Sequence, residues 1–160
     1  RYAPINGGFN IAAGYKGFSL AADFAYVLGK YLTNNDAYFY DNAAQFLGYN
    51  QRKDVTDYWT VDNKDAKYPN WAKGYQMQFD THLLENASFL RLKNFQLGYL
   101  FDQKLLGFQN VVQTVKLTFT ARNLFTITGY KGLDPEINSN VVLGRVGNTK
   151  QFLFGVELTF

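Results

Sequence analysis

In Lys150-Gln151-Phe152-Leu153-Phe154-Gly155-Val156-Glu157-Leu158-Thr159-Phe160, every even position from Phe152 onward is apolar. The odd positions are mostly polar or small: Gln151, Gly155, Glu157 and Thr159. Side chains of a strand alternate between its two faces, so this is the pattern of a β-strand with one apolar face. No helix places Phe152, Phe154, Val156, Leu158 and Phe160 on one side.

The same period recurs upstream. Val112 to Ile127 sets Val115, Leu117, Phe119 and Ala121 against Lys116, Thr118, Thr120 and Arg122. Phe95, Leu97, Tyr99 and Phe101 share a face, but Leu90 and Leu92 sit at even positions. The phase therefore flips near Lys93 and Asn94, which predicts a β-bulge. Phe18, Leu20, Ala22, Phe24, Tyr26 and Leu28 line one face of the next segment, and Phe9, Ile11, Ala13 and Tyr15 one face of the first. Only Lys16-Gly17 separates these two, the length of a tight hairpin turn.

Connections alternate in length. Lys16-Gly17 and 102–111 are short, whereas 32–87 and 128–149 are long. Short turns at one end and long loops at the other are the asymmetry of an outer-membrane barrel. A soluble β-sandwich also buries one strand face, so alternation alone does not separate the two. Small residues on the polar faces (Ala12, Gly14, Ala21, Ala25, Gly98, Gly155), aromatics towards strand ends and a final aromatic favour the barrel.

Composition agrees. The 160 residues include 15 Phe and 12 Tyr, a mix that favours strands over helices. No apolar run reaches the ~18 residues of a transmembrane helix, while a membrane strand needs only about 9 to 11. With no Cys, disulfides and thiolate sites are excluded. A net charge of +3, carried by scattered Lys and Arg, gives no nucleic-acid footprint. The sequence starts at Arg1 with no signal-peptide pattern, so a segment of a longer protein is expected.

Within 32–87, Asn35 as an N-cap followed by Tyr40, Ala43, Ala44 and Leu47, with Gly48 as a stop, predicts a short helix. A second helical turn is expected around Val55, Tyr58 and Trp59.

Ala87-Ser88-Phe89-Leu90-Arg91-Leu92-Lys93-Asn94-Phe95-Gln96-Leu97-Gly98-Tyr99 resembles a motif of the SusC/RagA family of TonB-dependent transporters. Asn123-Leu124-Phe125-Thr126-Ile127-Thr128, the stretch Tyr130 to Glu136, and Phe152 to Phe160 resemble later family stretches in the same order. Tyr15 to Phe18 and Tyr58 to Asn63 also resemble family patterns, with Val61 standing where many members have Pro. The resemblance implies an all-β fold: the last five strands of an antiparallel transmembrane β-barrel, at about 8–16, 18–31, 88–101, 112–128 and 150–160, with a long, partly helical extracellular loop 32–87. Residues 1–160 would then be the C-terminal part of a receptor barrel of about 22 strands with a plugged lumen, the plug and other strands lying outside this sequence. It further implies the outer membrane of a Gram-negative bacterium, contact with the lipid bilayer, a SusD-like surface lipoprotein, energy from the TonB-ExbB-ExbD complex through the plug, and a glycan or peptide substrate. A non-transport barrel and a soluble sugar-binding sandwich are the alternatives.

No nucleophile elbow, paired-carboxylate cleft or phosphate loop is present, so no enzyme activity and no cofactor are expected. His82 is the single histidine and reads as a solvated loop residue. Asp62, Asn63, Asp65, Asp134 and Glu136 lack calcium-loop spacing and read as turn chemistry. Asp23, Lys116, Arg122 and Glu157 on the polar faces are expected to pair across strands. Ligand or partner contact is expected from loop aromatics, namely Tyr38, Tyr40, Tyr58, Trp59, Tyr68 and Trp71, because aromatic faces stack on sugars and anchor interfaces. Packing of the loop on itself competes with that role.

The alternating apolar residues Phe152, Phe154, Val156, Leu158 and Phe160, which end on an aromatic, resemble the signal read by the barrel-assembly machinery. Phe160→Asp in the full-length protein is expected to lower the amount inserted in the membrane without lowering synthesis. Unchanged surface abundance would refute the assignment.

Overall fold

The computed structural model describes residues 3–46, 48–75, 78–79, 81–102, 112–139, 141–142, 144 and 146–160. Five long strands, β1 (Ile5–Tyr15), β2 (Phe18–Leu28), β5 (Phe89–Phe101), β6 (Thr114–Thr128) and β8 (Gln151–Thr159), form one sheet in that order. Each pairs antiparallel with the next, an up-and-down meander. The edges β1 and β8 have no further strand partner among the described residues.

The hairpin turn is as tight as its sequence requires. Tyr15 pairs with Phe18, and Lys16 (φ 45) and Gly17 (φ 86) both adopt positive φ, the type I′ geometry that matches strand twist. The register carries the apolar residues across the sheet in rows, such as Ile11, Ala22, Phe95, Ala121 and Phe152.

The predicted bulge is present, and it has a counterpart. Between Asp23↔Asn94 and Phe24↔Leu92, Lys93 is the extra residue of β5 against β2. Between Asn94↔Arg122 and Leu92↔Phe125, Lys93 faces two residues of β6, Asn123 and Leu124. Asn123 takes φ 51 there and donates its side-chain amide to the Thr149 carbonyl at 3.2 Å. Leu90 and Leu92 thereby stay on the same face as Phe95 despite the change of parity.

Several expected boundaries move. The second strand ends at Leu28 rather than continuing to 31, because Gly29 turns the chain at φ 70. The first begins at Ile5, ahead of position 8; Gly8 lies so close to β2 that a Cβ would meet the Phe24 carbonyl at 2.8 Å. The fourth begins at Thr114 rather than 112. The long connection is less helical than expected: α1 is Asn35–Tyr40, capped by the side chain of Asn34 rather than Asn35. Residues 43–45 form a turn, and Leu47 lies outside the described residues. The expected second helical turn is a 3-10 turn at Lys53–Thr56 that includes Val55 only. Tyr58 instead bridges to Tyr68 in parallel.

The two long connections also hold a second sheet not foreseen from the sequence. In it β3 (Tyr31–Asn34) pairs antiparallel with β4 (Leu84–Asn86) and parallel with β7 (Val141–Val142). Tyr31–Ala87 and Tyr130–Gly147 form one compact unit, and the five long strands form another.

A β-branched residue at φ 51 is strained by roughly 1–3 kcal/mol. Asn123→Val in the full-length protein should therefore lower the temperature at which its compact electrophoretic band is lost, whereas Asn123→Gly, which loses the same amide bond without the strain, should not. Equal loss in both variants would assign the effect to the amide bond instead.

Candidate functional site

The large sheet presents two unlike faces. On one, Phe9 stacks on Phe24 (ring centroids 4.7 Å), while Phe18 meets Tyr99 (4.3 Å) and Phe119 meets Phe154 (5.0 Å) at a tilt, each a cross-strand pair. These side chains cover one another sideways yet remain open outward: Phe154 is 82% exposed, Phe18 54% and Ile11 52%. An apolar face that continues over five strands far exceeds what water-soluble surfaces carry. In a sandwich Phe152, Phe154, Val156, Leu158 and Phe160 would be core, but all five are exposed.

The opposite face is mostly polar or small, with Val27, Phe89, Leu100 and Leu153 as its larger apolar members. At the level of the bulge a row of polar residues crosses the whole sheet: Asn10, Asp23, Asn94, Arg122 and Gln151. The expected pairing of charges is found for Lys116 with Glu157, at 3.9 Å. Asp23 is held differently, accepting amide hydrogens from Asn10 (2.6 Å) and Asn94 (3.2 Å).

The loop unit has two small cores. Leu32, Ala87 and Tyr130 make one; burial pushes the Tyr130 phenol up to about 12, and the charges of Glu85 and Asp36 add to it. Ala37, Val55, Tyr68 and Leu83 make the other, with Tyr38, Tyr58 and Trp71 packed against it. Trp71 donates its indole N–H to the Val55 carbonyl at 3.1 Å, and Tyr38 its hydroxyl to Gln45 at 2.9 Å. Of the aromatics expected to meet a ligand, Tyr68 is thus buried, Tyr38, Tyr58 and Trp71 are partly so, and Tyr40 is exposed. Trp59 lies on an open cleft of about 500 Å³. Leu83 and Ala87 carry no sign of a core role in the sequence, since neither belongs to a periodic segment.

Tyr68 anchors a polar cluster. Lys67 Nζ lies 2.7 Å from both the Tyr68 hydroxyl and Asp54 Oδ2, and Arg52 Nε is 3.4 Å from Asp54. The hydrogen bond from Lys67, helped by Arg52, outweighs burial and lowers the Asp54 pKa. Partial burial opposes the Lys67 charge, but its bonds to Asp54 and Tyr68 prevail and raise its pKa. Burial carries the Tyr68 phenol up to about 12. The expected turn at Asp134-Pro135-Glu136 is present, with the Glu136 amide donating to Asp134 Oδ1 at 2.9 Å. Among the described residues no acidic or histidine group forms a metal cluster, and His82 packs its ring near Tyr68.

No family model matches the chain. Nearly all of it, 99%, superposes on 17% of one chain in a structure of the RagAB peptide importer in its open-open state, with a TM-score of 0.90 and 47% identity. The chain belongs to the SusC/RagA family of TonB-dependent receptors. Family relatives agree: TonB-dependent receptor P3 of Formosa agariphila is 28% identical over 96% of this chain and 16% of its own length. TonB-dependent receptor SusC of Bacteroides thetaiotaomicron is 38% identical over 49% of this chain and 8% of its own. The chain thus spans about a sixth or less of the length of these family members.

Because the Asp54 pKa is lowered on folding, its contribution to loop stability is complete above the ordinary carboxylate value of about 4 and is lost as pH falls through the lowered one. Hydrogen exchange at the Trp59 amide, which donates to the Tyr68 carbonyl at 2.9 Å, should lose protection over that acid range beyond its intrinsic pH dependence. Asp54→Asn should show reduced protection at pH 7 and no such transition.

Proposed function

We propose that the chain is part of the wall and outer loops of an outer-membrane active importer in a Gram-negative bacterium, taking up large nutrients such as glycans or peptides. The observation that carries this reading is the outward-open apolar face shared by five strands. In a bilayer such a face is solvated by lipid tails, and the polar face then lines the lumen.

The five strands alone leave two unpaired edges, and unpaired backbone groups in lipid cost several kcal/mol each. Further strands must therefore close the sheet, consistent with relatives several times longer. In this reading residues 1–160 are the C-terminal part of the barrel, and a plug elsewhere in the protein receives energy from TonB. A SusD-type lipoprotein partner closes over the outer loops, as the match to the RagAB importer suggests. The chain matches the open-open and closed-closed RagAB structures equally, at TM-score 0.90. That supports a wall that stays fixed while other parts move. Transport then rests on binding and gating, and no bond is made or broken by these residues.

Topology tests the reading. Both long connections leave the sheet at one end and the two short ones at the other. Single cysteines at Asp65→Cys, Asn138→Cys and Lys16→Cys in the full-length receptor should separate them; Lys16 is chosen because a residue with a side chain already holds φ 45 there. A membrane-impermeant maleimide should label the first two in intact cells, and the third only after the outer membrane is permeabilised. Equal labelling of all three would overturn the barrel.

A further inference from the structure

We infer that the cleft beside Trp59 is a subsite for carboxylate side chains of acidic peptides; this rests on the importer reading and names the substrate class for one part of its outer loops. The cleft, of about 500 Å³, is lined by Trp59, Lys67, Tyr68, Asn70, Lys73 and Tyr75 together with Ala66 and Pro69. Among the described residues no carboxylate lines it.

Its walls are fixed by backbone hydrogen bonds. The Trp59 amide donates to the Tyr68 carbonyl at 2.9 Å, and the Tyr68 amide to the Asp57 carbonyl at 3.1 Å. Opposite, the 3-10 turn Trp71–Lys73 is capped by Asn70, whose side-chain oxygen accepts from the Lys73 amide at 3.2 Å. That bond uses the acceptor of Asn70 and leaves its NH₂ group as a donor.

The two lysines differ. Lys67 is already committed to Asp54 and to the Tyr68 hydroxyl, both at 2.7 Å. Among the described residues Lys73 makes no ion pair, so its charge is available. A cation and an amide donor beside an exposed tyrosine and a tryptophan fit a carboxylate attached to an apolar or planar group. A preformed cleft also spares the ordering cost of a flexible one. A peptide is the favoured occupant because the importer that this chain matches at 47% identity is a peptide importer.

The test uses the full-length receptor purified with any bound partner, and two fluorescein-labelled peptides with blocked termini, Gly-Phe-Glu-Glu-Phe-Gly and Gly-Phe-Gln-Gln-Phe-Gly. At low salt the Glu peptide should bind about tenfold tighter than its Gln twin. Lys73→Gln should abolish that preference, Lys73→Arg should keep it, and Trp59→Ala should weaken both peptides. An unchanged preference in Lys73→Gln would overturn the inference, as would a trigalacturonate displacing the Glu peptide at equal concentration, which would assign the cleft to acidic glycans. Impermeant labelling of Asp65→Cys, made in the same variants, separates the two readings. Outside labelling without a Glu preference sinks the cleft alone, whereas labelling that requires permeabilisation sinks the importer reading with it.

Discussion

A strand has two faces and a period of two, so a single residue gained or lost moves everything after it to the other side. In this sheet that constraint is met at one level, where Lys93 is extra in β5 and Asn123 and Leu124 together face it from β6. Without that adjustment, Leu90 and Leu92 would turn to the polar face while Phe95, Leu97 and Tyr99 stayed on the apolar one. The face would then be broken in its central strand. Its neighbours depend on that continuity, because β2 and β6 stack their own apolar residues against both halves of β5.

The large sheet was legible because alternation over many residues is a strong local signal, and because turn chemistry at Lys16-Gly17 fixes the first register without reference to anything distant. Even the bulge could be located, since an inserted residue is the simplest way for a strand to change parity between Leu92 and Phe95 and keep one apolar face. The end of the second strand was missed for the same kind of reason in reverse. Tyr31, a residue type common in strands, follows closely on Leu28 and draws the expected strand onward, and only the left-handed conformation of Gly29 reveals the break.

The loop unit was far less legible. Its aromatics are visible in the sequence, but whether a tyrosine faces solvent or a core depends on partners far away in the chain. Tyr68 is buried by Val55, Leu83 and Ala37, which share no period with it. The small sheet was invisible for a related reason: β4 and β7 are too short to show any alternation, and the parallel pairing of Thr33 with Val141 has no local signature. The cleft beside Trp59 likewise includes Tyr75 and Lys73, which nothing in the spacing of the sequence sets apart.

That parallel pairing bears on how such loops can change over evolutionary time. The long connections are separate in sequence, yet β3 from one and β7 from the other share a sheet, and Leu32 and Ala87 share a core with Tyr130. Replacing either connection by itself would strip the other of a strand partner and uncover a core face. New specificity by recombination therefore requires both stretches to be exchanged as a matched pair, with the intervening β5–β6 hairpin either carried along or left in place. Point substitution of exposed side chains faces no such restriction.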